Sequence, residues 1–125
     1  MTDWPGSRRE RVEPPAWRCG LVRSRRNEPY QAVGRPALVV QGEAIDAEAY
    51  DSVVVCLITG SSTRGGVCRV EIAASSATGL ERPSEIMVEK IAAVPRAQVG
   101  ETIGRADEET LRRVDRALLL LLDLA

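Results

Sequence analysis

The chain is predicted to be mainly β with one C-terminal helix, an α+β arrangement in which a small, curved antiparallel sheet or barrel is covered by helices. Two observations predict this class. Short apolar segments rich in β-branched residues recur between residues 37 and 88, separated by turn residues. One amphipathic segment follows residue 107. Strands that come first and a helix that comes last favour a sheet with a terminal helix packed on it.

The first half of the chain is predicted to contain three strands. A short strand is expected from Trp17 to Val22, because apolar residues alternate there before the arginines at 23–26. The apolar segment 37–41 indicates a buried strand, and 52–59 is the segment most typical of a strand. Residues 44–50 are expected to form one helical turn or an ordered loop.

The second half is predicted to add two more strands. Residues 68–72 alternate between apolar and polar, and a turn at 79–84 precedes a strand at 86–88 that can continue after a bend. Glu85 and Glu89 are four residues apart on this strand and therefore share a face. We expect both carboxylates to be exposed to solvent.

The last segment has the clearest helical pattern. Asp107 is a good N-cap, and two glutamates follow it in the first turn. Leucine and valine recur at helical spacing, at Leu111, Val114, Leu118, Leu121 and Leu122. Further leucines lie outside this stripe, at positions 119, 120 and 124. They indicate either a helix buried in its own domain or a dimer contact.

Length and composition indicate one globular domain. The chain has 125 residues, 44% of them hydrophobic and 28% charged. Residues 1–16 show no periodicity and are interpreted as a flexible N-terminal extension, which leaves a single domain at 17–125. No segment reaches the roughly 20 apolar residues of a membrane span, so no membrane partner is expected. Three cysteines without metal-ligand spacing are typical of reduced thiols, and the predicted location is the cytoplasm.

Charge is distributed unevenly along the chain. Residues 1–35 hold eight arginines and four acids, a balance of +4, whereas the remaining 90 residues hold nine basic and fourteen acidic side chains, a balance of −5. A basic segment beside an acidic body indicates an anionic partner bound at one face. The alternative interpretation is a solvated N-terminal tail.

Arg35 is the first candidate for chemistry. Pro36 favours an extended conformation for Arg35 and is itself tolerated at the first position of a strand. The guanidinium is therefore expected to project from a rigid strand end, where its planar donors suit a phosphate. A structural ion pair with an acid at the rim of the sheet is the alternative.

Thr59 is the second candidate, at the end of the segment most typical of a strand. It is followed by Gly60, Ser61 and Ser62, so hydroxyls and backbone amides are concentrated in one place. Such a loop can bind a phosphate oxygen or a ribose. An ordinary hairpin turn, satisfied by its own side chains, explains the same residues.

Several kinds of site are excluded or not expected. The chain contains no histidine, so two-histidine ribonuclease chemistry and a histidine-activated nucleophile are excluded. No phosphate-binding glycine-rich motif with lysine is present, and no metal-ligand cluster stands out. We therefore expect no cofactor and no metal.

From residue 34 to the last residue, five blocks resemble the MazF/PemK family of type II toxin endoribonucleases, within the wider CcdB/PemK-like superfamily. In order along the chain they are residues 35–41, 55–59, 79–84, 87–90 and 103–110. The order and spacing of five blocks make a chance match improbable.

The resemblance implies a small SH3-like β-barrel that forms a homodimer, cleaves single-stranded RNA without a metal and is neutralised by a cognate antitoxin. In the implied mechanism a ribose 2′-OH attacks the adjacent phosphorus. Arg35 corresponds to the family's catalytic arginine and Thr59 to its catalytic threonine. Because arginine stays protonated in proteins, we expect Arg35 to stabilise the charged transition state while Thr59 positions the phosphate or the attacking oxygen.

Residues around this pair are the candidates for RNA binding. Arginines can contact the RNA backbone, and a tyrosine can stack on an unpaired base. The predicted RNA-binding residues are Arg25, Arg26, Glu28, Tyr30, Ser61, Ser62 and Arg64.

Two other functions are compatible with the same fold. A non-catalytic toxin of the CcdB type, or a degenerate interaction module, is favoured by the first strand, which lacks the acid that family members carry after the glycine at position 20. A general nucleic-acid-binding barrel is the third interpretation, for which binding would depend on salt without forming a product.

Overall fold

In the computed structural model the described residues are 20–24, 35–42, 44–45, 47–60 and 66–124. The predicted N-terminal extension at 1–16 lies outside them. Within the described ranges six strands are formed: β1 Gly20–Ser24, β2 Pro36–Val39, β3 Ser52–Thr59, β4 Arg69–Ile72, β5 Ser84–Pro95 and β6 Val99–Arg105. The helices are α1 Ala47–Tyr50 and α2 Glu108–Leu121, and a 3₁₀ turn at Arg96–Gln98 joins β5 to β6.

The strands form one antiparallel sheet in the order β4-β5-β3-β2-β1-β6. The predicted mainly β fold with a C-terminal helix is confirmed. The sheet is open rather than a closed barrel, since no ladder joins β4 to β6 within the described part of the chain. β4 has only four residues, and the chain leaves the sheet after it.

The loop after β4 brings the two edges of the sheet together. The Arg105 N–H, at the end of β6, donates to the Ala77 carbonyl at 2.8 Å. Gly104 lies so close to the Thr78 backbone that a side chain at position 104 would collide with it. Gly79 has a positive φ of 76° and also lies against the backbone of β6. The two glycines thus allow the loop after β4 to lie directly against β6, although β4 and β6 do not pair.

Both faces of the central strands are buried. Alternate residues of β2 and β3 contribute to two apolar clusters, which explains why these strands are continuous apolar segments in the sequence. The first cluster lies under α2 and includes Leu38, Cys56, Ile58, Ile86, Leu111 and Val114. The second lies on the opposite face and consists of Val22, Ala37, Val39, Val53, Val55 and Val99.

The long strand β5 contains the predicted bend. Cys56 of β3 pairs with Ile91, but the next residue, Leu57, pairs with Met87. Three residues of β5 therefore have no partner in β3 at this irregularity. Before the bend, β5 pairs with β4 on one side and with the end of β3 on the other. After the bend, from Ile91 to Pro95, it pairs with the first half of β3. The structure also differs from the prediction at β1, which continues to Ser24, and at β6, which was not predicted.

Helix α2 begins as the sequence predicts. The Asp107 carboxylate accepts a hydrogen bond from the Thr110 backbone N–H at 2.8 Å, which lowers the pKa of Asp107. The first half of the predicted apolar stripe is buried, at Leu111 and Val114. The C-terminal end of the stripe is not buried within the chain, since Leu122 is 53% exposed. Neither helix in the described part of the chain has the length and apolar character needed to cross a membrane.

Candidate active site

Arg35 and Thr59 are brought together by the pairing of β2 with β3. Ala37 pairs with Leu57 in this antiparallel ladder, and Arg35 and Thr59 each lie two residues beyond that pair at the same end. Because side chains alternate with a period of two, both candidates belong to the face of Ala37 and Leu57, opposite α2. Both residues are partly exposed.

A carboxylate lies on the other side of Thr59. Thr59 pairs with Glu85 of β5, and Glu85 pairs in turn with Glu71 of β4. The register therefore arranges four residues in one row across the sheet, in the order Arg35, Thr59, Glu85 and Glu71. The threonine is placed between a cation and an anion, which the linear sequence does not reveal.

Arg69 of β4 binds the carboxylates of this edge. Its Nε and Nη2 donate to Glu89 Oε2 at 2.8 and 2.6 Å, and its Nη1 donates to Glu85 Oε1 at 3.3 Å. The hydrogen bonds from Arg69 lower the pKa of Glu89, and the same contact raises the pKa of Arg69. Glu85 and Glu89 share a face as predicted, but the expected exposure of Glu85 is wrong, because it is buried with 9% of its surface exposed.

A second guanidinium approaches the site from the turn before β5. Gly60 follows Thr59, and a Cβ added to Gly60 would lie 2.5 Å from the Nε of Arg82. The absence of a side chain at position 60 thus leaves space for this guanidinium, and the backbone conformation there does not itself demand glycine. Arg82 was not singled out from the sequence, since only the folded chain places residues 60 and 82 in contact.

A cavity of about 730 Å³ opens on the α2 side of the same strand ends. Its walls come from Gly60, the first residues of β5, the loop after β4 and the start of α2. Charged residues of both signs are among those that line it, namely Glu71, Glu85, Arg105, Asp107 and Arg113. Gly60 therefore lies between Thr59 and this recess.

The other predicted RNA-binding residues cannot be placed. Arg25, Arg26, Glu28, Tyr30, Ser61, Ser62 and Arg64 lie outside the described residues. In the part of the chain that the structure describes, Arg35 forms no ion pair. Across the same residues, no three side chains of metal-ligating type gather into a cluster.

The arrangement can stabilise a phosphodiester. The Arg35 guanidinium has its donors in one plane, which matches two oxygens of a phosphate. The Thr59 hydroxyl, at the end of β3, can donate to a third oxygen. Glu85 is paired with Arg69, so its charge is partly compensated, and Arg35 offers a position for a phosphate on the β2 side of the row.

The whole domain matches a family of toxins. Residues 17–122 match the family described as PemK-like, MazF-like toxin of type II toxin–antitoxin system. The chain is 38% identical over 96 residues to a protein of Mycolicibacterium smegmatis named probable endoribonuclease MazF. That match covers 77% of this chain and 86% of the relative.

Solved structures share the fold. Toxin MazF-mt6 of Mycobacterium tuberculosis has a TM-score of 0.68 at 20% identity, covering 85% of this chain and 98% of that one. A MazE–MazF structure from Deinococcus radiodurans has a TM-score of 0.70 at 19% identity and covers 90% and 99%. A mycobacterial endoribonuclease in complex with its cognate antitoxin has a TM-score of 0.69 at 20% identity, with 89% and 98% covered. At these identities the likeness shows the fold alone.

Proposed function

We propose that this chain is an endoribonuclease that cleaves single-stranded RNA, because it belongs to the PemK-like, MazF-like toxin family of type II toxin–antitoxin systems. The relative from M. smegmatis, which bears the name of an endoribonuclease, supports this activity. The geometry that supports it is the placement of Arg35 and Thr59 at facing positions of β2 and β3.

In the proposed reaction the RNA supplies its own nucleophile. The ribose 2′-oxygen attacks the adjacent phosphorus, the bond to the 5′-oxygen of the next nucleotide breaks, and the products are a 2′,3′-cyclic phosphate and a 5′-hydroxyl. The 2′-OH proton is released to solvent and the leaving oxygen takes up a proton. Negative charge develops on the phosphoryl oxygens during this step, so fixed donors lower the barrier.

Arg35 and Thr59 have different roles in this proposal. The Arg35 guanidinium stays charged and donates to the phosphoryl oxygens, which stabilises the transition state. The Thr59 hydroxyl orients the phosphate or the attacking oxygen. Both residues adjoin the ladder between β2 and β3, so their backbone loses little freedom when RNA binds.

The proposed partners follow from the family. A cognate antitoxin is expected to neutralise the toxin, since solved relatives include a mycobacterial endoribonuclease with its cognate antitoxin. A homodimer is proposed because the end of α2 exposes leucines, at positions 119, 120, 121, 122 and 124. The proposed location is the cytoplasm, and the proposed domain spans residues 17–125, in agreement with the extent of the family match.

The test is cleavage of a single-stranded RNA by the purified protein in EDTA. We expect fragments with cyclic phosphate and 5′-hydroxyl ends, and no cleavage where the attacking ribose is replaced by 2′-deoxyribose. Arg35→Ala and Thr59→Val should each slow cleavage strongly. Arg116→Ala, on the exposed side of α2, and Thr102→Val, exposed on β6, serve as matched controls.

Two results would contradict the proposal in different ways. Cleavage that persists undiminished in both Arg35→Ala and Thr59→Val would refute the roles of these residues but not the activity. Arrest of cell growth with intact RNA, both in vitro and in the arrested cells, would instead favour a non-catalytic toxin.

A further inference from the structure

We infer that Arg82 forms a second phosphate-binding position at the end of β3, which holds an RNA phosphodiester neighbouring the one that is cleaved. The inference rests on the proposed endoribonuclease function and concerns a residue that carries no role in it so far. Its basis is the contact between the Arg82 guanidinium and Gly60, the residue after Thr59.

The position of the guanidinium is defined by three distances. A Cβ on Gly60 would lie 2.5 Å from Nε, 3.0 Å from Cζ and 3.1 Å from Nη2 of Arg82. With a Cα–Cβ bond of about 1.5 Å and a Cα–Cα step of about 3.8 Å, Nε of Arg82 lies within about 8 Å of the Thr59 Cα. The charge is therefore next to the proposed reaction centre, yet separated from Arg35 by Thr59 and Gly60.

The backbone below Arg82 is held in place. The Ser84 hydroxyl donates to the Arg82 carbonyl at 2.9 Å, and β5 pairs with β4 from Ser84 and with β3 from Glu85. The Arg82 residue itself is exposed. Within the part of the chain that the structure describes, its guanidinium forms no ion pair. An anchored backbone with an exposed guanidinium is suited to an anion from outside the molecule.

A phosphodiester suits this position better than a base edge or a carboxylate. A planar guanidinium can donate to two oxygens of one phosphate, and an RNA strand carries such a charge at every nucleotide. A strand of RNA that places one phosphate at Arg35 must continue past the end of β3 in one of two directions. Among the described residues, Arg82 is a cation that it meets in the direction of Gly60.

The first test is binding of a 2′-O-methyl RNA strand that cannot be cleaved, measured for the wild type and Arg82→Ala over a range of salt concentrations. We expect about three- to tenfold weaker binding at low salt, and a dependence of log K on log salt that is shallower by about 0.7, the value for one lost phosphate contact on a single strand. The loss should not depend on RNA sequence, because phosphate contacts carry no sequence information. Arg116→Ala should behave as the wild type.

The second test moves the guanidinium without removing its charge. Gly60→Ala introduces the methyl group that collides with the flexible end of Arg82, and the backbone at position 60 accepts alanine without strain. We expect Gly60→Ala to weaken binding in the wild type and to have little further effect in Arg82→Ala, so that the two changes are not additive.

The outcomes separate this inference from the proposed function. Unchanged binding and an unchanged salt dependence in Arg82→Ala, or additive effects of the two changes, would overturn the phosphate position whether or not RNA is cleaved. If the wild type binds the 2′-O-methyl strand but does not cleave RNA, the proposed enzyme fails and the binding tests still decide the role of Arg82. With cleavable RNA, Arg82→Ala should raise KM more than it lowers kcat, in contrast to Arg35→Ala.

Discussion

Arg35 and Thr59 occupy facing positions at one end of the β2–β3 ladder, each two residues beyond the paired Ala37 and Leu57. A slip of one residue in this register would move one of the two side chains to the face of α2. The site therefore depends on the apolar pattern of two buried strands, since burial of both faces permits only one register. This relationship leads to the first prediction.

Replacing Arg35 with lysine tests whether the planar guanidinium matters or only its charge. We expect kcat/KM for RNA cleavage to fall by about 10²-fold in Arg35→Lys and further in Arg35→Ala, because an ammonium cannot bind two phosphoryl oxygens in one plane. Single-turnover cleavage of a short RNA measures the effect. Wild-type rates in Arg35→Lys would mean that a point charge is sufficient.

Removing Arg69 should destabilise the β4 edge of the sheet. Glu85 is buried and would lose its cation, whereas Glu89 is more exposed and can be solvated. We therefore expect Arg69→Ala to lower Tm more than Glu89→Gln does, as measured by thermal unfolding at neutral pH. An equal or smaller loss in Arg69→Ala would show that Glu85 does not depend on this ion pair.

The glycine contact between the loop after β4 and β6 should be intolerant of any side chain. Gly79 and Gly66 both have a positive φ, but only Gly79 lies against a neighbouring backbone, that of Ile103. Gly66→Ala should cost about 1 kcal/mol of unfolding free energy from backbone strain, and Gly79→Ala about 1–3 kcal/mol more from the collision. Urea denaturation measures both, and equal losses would show that the contact contributes nothing.

Asp107 should make the stability of α2 depend on pH. The pKa of Asp107 is lowered in the folded chain by the Thr110 N–H, so its charged form stabilises the fold above the ordinary pKa of an aspartate, near 4, and this contribution is lost as the pH falls through the lower folded value. Asp107→Ala should cost about 1 kcal/mol at pH 7. Asp107→Asn keeps the cap but should remove this part of the acid sensitivity in unfolding curves between pH 2 and 6.

The exposed leucines at the end of α2 should hold the proposed homodimer together. Leu120→Glu introduces a charge into this apolar surface, and we expect it to shift the sedimentation of the protein towards the monomer at micromolar concentration. Tyr50→Glu, at an exposed apolar position on α1, is the matched control. A dimer that is unaffected by Leu120→Glu would place the interface elsewhere.

The sequence predicted those strands and helices in which every local signal favours the same secondary structure. Strand β3 is continuous in β-branched and apolar residues, and α2 combines an N-cap with a helical apolar spacing. Strand β6 was missed, because Val99–Arg105 contains two glycines and no strong apolar alternation. Its strand conformation comes from pairing with β1, which is a contact between distant parts of the chain.

By itself the sequence limited the residues proposed for the chemistry, since a chain without histidine directs the proposal to arginine and hydroxyl groups, and Pro36 favours an extended conformation for Arg35. Only the tertiary structure decided which residues surround Thr59. Glu85 is 26 residues away along the chain and Arg82 is 23, and both come near it because β5 pairs with β3. Local patterns specify a strand and its faces, whereas the partner of a strand depends on the packing of the whole sheet.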